Sequence, residues 1–82
     1  MKYILTAHAE FRMKERGISS SLLEDALRHP TAIAKDPKGN ILLKKTYRKH
    51  GQLRLLLIVC RMKGDIALVI TIIDTSKVRK YL

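Results

Sequence analysis

Between Leu53 and Arg61 the chain reads Leu-Arg-Leu-Leu-Leu-Ile-Val-Cys-Arg. Its apolar run, Leu55 to Cys60, is like Ile66 to Ile70 far too short to span a bilayer. It lies between two turn signals, His50-Gly51-Gln52 and Lys63-Gly64-Asp65. The pattern predicts a central strand buried on both faces. Hairpin-length turns on either side make its neighbours antiparallel to it. Those neighbours are Ile41 to Lys49, which places Ile41, Leu43, Lys45, Tyr47 and Lys49 on one face and Leu42, Lys44, Thr46 and Arg48 on the other, and Ile66 to Ile73.

Upstream the period is helical. Thr6 can cap a helix running to about Arg16, and Gly17 supplies a left-handed stop. Ser19 or Ser21 can cap a second helix, with Ser21-Leu22-Leu23-Glu24 fitting a reciprocal capping box. Leu22, Leu23, Ala26 and Leu27 form its apolar stripe, and Pro30 ends it. Thr31 to Lys35 is a short strand candidate before the turn Asp36-Pro37-Lys38-Gly39-Asn40, and Lys2 to Leu5 is a short leading strand. The expected architecture is a single α+β domain over residues 1–82: a short N-terminal strand, then two helices packed on one face of a three- to four-stranded antiparallel sheet.

Seventeen Lys and Arg against seven Asp and Glu leave a net charge of +10, which favours a polyanionic partner: RNA, DNA or an acidic protein segment. A single cysteine excludes an internal disulfide framework, and three scattered histidines offer no metal-ligand spacing, so no metal or cofactor is expected. Cys60 reads as a reduced core residue, which fits a cytoplasmic protein. The sequence carries no signal-peptide pattern and no membrane segment.

The first helix has an unusual face. His8, Arg12 and Arg16 stand four residues apart and form one slowly drifting stripe, with Ala9 and Met13 along its edge. One imidazole and two guanidinium groups suit phosphate better than a core.

Thr6-Ala7-His8-Ala9, Arg12-Met13 and Arg16-Gly17-Ile18 resemble the opening signature of a small bacterial and archaeal family, domain of unknown function 4258 (DUF 4258). Leu27 and Pro30, Asp36 and Gly39, and Val69-Ile70-Thr71 agree with it too. The resemblance covers nearly the whole chain. It implies kinship with compact ribonuclease toxins of the RelE and colicin D type, in a RelE-like (BECR-type) fold. It further implies a metal-independent endoribonuclease paired with an acidic antitoxin.

Such a reaction needs a base for the RNA 2′-hydroxyl, cations on the phosphate and an acid for the departing oxygen. His8 is the candidate for proton transfer, as base or acid. Arg12 and Arg16 are candidates for the phosphate clamp, or for plain ion pairs with Glu15, Glu24 or Asp25. Thr71 interrupts an apolar strand, where it either bonds a neighbouring strand or orients His8. Lys44, Lys45, Tyr47 and Arg48 are candidates for tracking RNA, free or ribosome-associated, or are edge cations that block aggregation. Arg79, Lys80 and Tyr81 resemble in position the C-terminal residues of RelE-type toxins. His29 and His50 lack a catalytic context. The competing readings are a non-catalytic RNA- or DNA-binding module and a protein-interaction domain.

Overall fold

Thr6 fastens two distant parts of the chain. Its hydroxyl oxygen accepts from the Ala9 N–H at 3.1 Å and caps α1 (Ala7–Arg16), while the same hydroxyl donates to the Ile70 carbonyl at 2.8 Å. The computed structural model describes residues 2–82. α1 stops where expected: Gly17 takes φ 63°, and Ile18 N–H reaches back to the Met13 carbonyl at 2.9 Å. That is a Schellman stop, which a residue bearing a Cβ adopts only with strain. α2 (Ser20–Arg28) starts from Ser19, whose oxygen accepts from Leu22 N–H at 3.0 Å. The capping box expected at Ser21 is therefore not the one used, because Ser21 already lies inside the helix.

The strands are β1 (Lys2–Leu5), β2 (Ala32–Lys35), β3 (Ile41–Lys49), β4 (Gln52–Lys63) and β5 (Ile66–Thr75). They form a five-stranded mixed sheet in the order β1-β5-β4-β3-β2. The antiparallel part, β2 to β5, matches the sequence pattern, but β1 adds a fifth strand parallel to β5. A parallel pair is joined only through a long crossover, so no local turn announces it.

β3 and β4 meet at a two-residue loop, His50-Gly51, between the paired residues Lys49 and Gln52. Both loop residues have positive φ, 51° and 79°. That is the signature of a type I′ hairpin, whose twist matches the strands it joins. In β5 the register slips between the Val59–Thr71 and Cys60–Val69 pairs, a bulge that leaves Ile70 without a partner. Its carbonyl is the one that Thr6 bonds.

Both helices pack on one face of the sheet. Ala9, Met13, Leu23, Ala26 and Leu27 meet Leu43, Leu56, Ile58, Cys60, Val69 and Ile72 in one core. Cys60 is buried and unpaired to any thiol, and burial pushes its thiol pKa up. The expectation that β4 is covered on both sides holds along this face and only in part on the other. On the opposite face a short C-terminal helix, α3 (Val78–Tyr81), packs against β4, and Leu55 there is fully buried. Leu57 and Val59 are half-buried and Leu53 is exposed. No helix among the described residues is long and apolar enough to cross a membrane.

Candidate nucleic-acid interface

α1 turns Ala9 and Met13 into the core, so the residues on its far side face solvent. At ~100° per residue Phe11, Glu15 and His8 lie on that outward arc, Arg12 lies on its flank, and Arg16 comes back within about 20° of Ala9 in the last turn. His8 is exposed, and Phe11 is 60% exposed. The stripe read from the sequence therefore runs from solvent at His8 toward the edge of the core-facing side at Arg16. The outward arc contains an aromatic ring, Phe11, that the four-residue spacing skipped, and the signal for it was the i,i+3 step from His8.

Glu15 divides the stripe's charge. Its Oε1 lies 3.0 Å from Arg12 Nη1 and 3.9 Å from Arg16 Nε. Exposed pairs of this kind contribute little, so a phosphate can displace the carboxylate from either arginine at small cost. His8 and Arg16 are separated by about 12 Å along the helix axis, at 1.5 Å per residue. They do not converge on one phosphate.

Arg16 instead meets the β3–β4 hairpin. A cavity of about 370 Å³ is lined by Glu15, Arg16, Lys49, His50, Gln52, Arg54 and Asp74. The type I′ loop carries His50 into this cleft, a context that a bare His in a turn did not reveal. At its floor Asp74 ties three strands together. The Tyr47 hydroxyl donates to Asp74 Oδ1 at 2.6 Å, and Arg54 donates through Nε and Nη2 at 3.0–3.2 Å. Burial pushes the Asp74 carboxyl up, but the hydrogen bonds from Arg54 and Tyr47 outweigh it and hold the pKa below the ordinary value. Burial, with the Asp74 hydrogen bond, raises the Tyr47 phenol to about 12. The hydrogen bond to Asp74 raises the Arg54 guanidinium. Neither Arg54 nor Asp74 stood out in the sequence, because a charged pair on two apolar strands shows its purpose only once the register sets the two side by side.

The pleat separates the basic residues of β3. Lys45 and Tyr47 point toward the helices. Lys45 Nζ donates to the His29 carbonyl at 2.7 Å and lies 3.2 Å from Asp25, so it anchors α2. Lys44 and Arg48 point to the opposite face, where Arg48 donates to the Gly51 carbonyl at 3.3 Å. Thr71 pairs with Val59 and shares that opposite face, whereas His8 rides on α1 over the helix-covered one. At the hairpin end, α3 brings Lys77, Arg79 and Lys80 beside Leu53. Lys80 Nζ sits 5.3 Å from the centre of the Tyr81 ring, and Tyr81 is exposed. The hairpin pole thus gathers Arg16, Lys49 and His50 on one side of the sheet, and Arg48, Arg79 and Lys80 on the other.

Among the described residues no group of three or more His, Cys, Asp or Glu could hold a metal ion. A family described as Domain of unknown function (DUF4258) matches residues 5–76. No curated protein and no solved structure matches the chain.

Proposed function

The chain belongs to the DUF4258 family, a domain of unknown function, and on that premise we propose that it binds single-stranded RNA along the outer face of α1 and into the cleft at the hairpin pole. The observation that carries this reading is the exposed Phe11 ring beside His8 on α1, with Arg12 on the other flank of His8 and Arg16, Lys49 and His50 lining the cleft at the helix end. A ring offers any base a stacking surface, and the cations follow the phosphates. Tyr81 and Arg79 offer the same pair of functions on the far side of the hairpin.

The test is fluorescence anisotropy with a labelled single-stranded RNA oligomer over a salt series. With about three phosphates neutralised, log Kd should change with log[salt] at a slope of magnitude roughly 2. Phe11→Ala should weaken binding by about tenfold. Arg16→Glu with Lys49→Glu should weaken it further and flatten the salt slope, while Lys35→Glu with Lys38→Glu should do neither. Equal losses from both charge pairs would leave only a diffuse attraction to polyanions.

The second reading is a metal-independent endoribonuclease of the RelE type, with an acidic antitoxin as its partner. His50 beside Arg16 in the cleft favours it. An imidazole takes the 2′-hydroxyl proton, the 2′-oxygen attacks phosphorus, and the 5′-oxygen leaves with a proton, so the product carries a cyclic phosphate. His50→Ala should then lower cleavage by about 100-fold or more with RNA affinity nearly unchanged. His8→Ala is the parallel test for the imidazole on α1. RNA that is bound but never cut leaves the binding module.

A further inference from the structure

β4 has the sequence of a strand covered on both sides, yet much of the face opposite α1 and α2 has no covering layer. Side chains from every strand reach this face. Ile4, Leu42, Leu57, Val59, Leu68 and Ile73 lie across its middle, in register through the Ile4–Leu68, Leu42–Val59 and Leu57–Ile73 pairs. Ile4 is 55% and Ile73 46% exposed. α3 packs beside Leu53 and Leu55 at the hairpin end and leaves these six uncovered. A contiguous apolar patch of this extent on a small domain marks a contact surface.

The charges around the patch say what covers it. Lys2, Lys44, Arg61 and Lys63 project from the same face, and among the described residues no strand position on that face carries a carboxylate. Glu10, Glu15, Glu24 and Asp25 all lie on the helices of the other side. We infer that the uncovered sheet face docks an acidic amphipathic helix of another protein, its apolar stripe on Ile4, Leu57 and Ile73 and its carboxylates on Lys2, Lys44 and Lys63. A helix is the natural cover for a sheet face, as α1 and α2 already demonstrate on the other side. A second copy of this chain is disfavoured, because a two-fold contact sets the strand cations Lys2, Lys44, Arg61 and Lys63 against their own copies, with no carboxylate on the described strand positions of this face to answer them. RNA is disfavoured because no described strand residue of this face is aromatic, and the ring on that side, Tyr81, sits on α3 at the hairpin end, away from the patch. A lipid surface is disfavoured because no described strand residue of this face is an aromatic anchor of the kind that seats a protein at a membrane interface.

The probe is a peptide of about 18 residues with Leu at the i, i+3, i+4, i+7 positions and Glu elsewhere, titrated against the 15N-labelled full chain. Binding at a Kd of about 100 µM or tighter, with shifts confined to the open face, is the expected result. Ile4→Ser with Ile73→Ser should weaken it by about tenfold or more, and Lys44→Glu with Lys63→Glu should do the same without touching an apolar residue. A Leu/Lys peptide of the same pattern should not bind. The inference is overturned by absence of binding at millimolar peptide, or by shifts on the α1 side. It is overturned equally by self-association through this face, or by vesicles of mixed neutral and anionic lipid or RNA binding there in the peptide's place. Because Phe11, Arg16 and Lys49 lie across the sheet, loss of this contact and loss of RNA binding are separately visible.

Discussion

Replacing Asp74 by Ala removes the acceptor that joins β3, β4 and β5 at the end of the sheet beyond the helices. Two donors lose their partner: the Tyr47 hydroxyl, 2.6 Å away, and the Arg54 guanidinium, held through Nε and Nη2. Breaking a buried ion pair costs about 3–5 kcal/mol. The Asp74 side chain is only 5% exposed, but Arg54 is 22% exposed and can swing part of its charge into water. The lower end applies, about 3 kcal/mol. A domain of this size has a total stability of roughly 4–12 kcal/mol, so the variant stands near the edge of folding. At neutral pH the urea midpoint should fall by about 2–3 M, and Tm by roughly 12–24 °C. Acid should erase the difference. A carboxyl whose folded pKa is depressed contributes stability above its unfolded value, and that stability is lost as pH falls through the folded pKa. Wild type should therefore approach Asp74→Ala progressively as pH falls past the ordinary aspartate value and through the lower folded one. The double change Arg54→Met with Asp74→Leu should recover most of the loss, since no charge is left without a partner. A loss under about 1 kcal/mol at pH 7, or one that persists unchanged in acid, would refute the assignment of Asp74 as the fastener of this end.

Thr6→Ala should cost about 1–2 kcal/mol in chemical denaturation, since it strips the α1 cap and the bond to Ile70 together, whereas Ser should retain most of both. Alkali should destabilise the fold through Tyr47. Its phenol titrates near 10 when unfolded and at about 12 in the native protein, so stability is complete below pH 10 and is lost as pH rises toward 12. A Tyr47→Phe variant should lack that alkaline limb in a pH series of urea midpoints.

The local devices were legible in the sequence because each acts within a few residues. Thr6 and Gly17 delimit α1, Pro30 follows α2, and the turn after β2 forms as read, with the Asp36 carboxylate accepting from the Lys38 and Asn40 backbone. The alternation along β3 sorted its two faces correctly. What pattern could not supply was anything that depends on which element covers which. The stripe of His8, Arg12 and Arg16 was visible, but the four-residue spacing passed over Phe11, which the fold turns outward. His50 looked idle until the hairpin carried it beside Arg16. Lys45 looked free until α2 placed Asp25 and the His29 carbonyl on it.

By itself, then, the chain determined its strands, its first two helices and its strong positive charge, since those follow from spacing, capping chemistry and composition. Only tertiary structure set β1 parallel to β5, joined Asp74 to Arg54, and left much of one side of an apolar strand without a cover. The reason is physical. Periodicity states that a residue needs a partner surface, and only the assembled sheet shows whether this chain provides it.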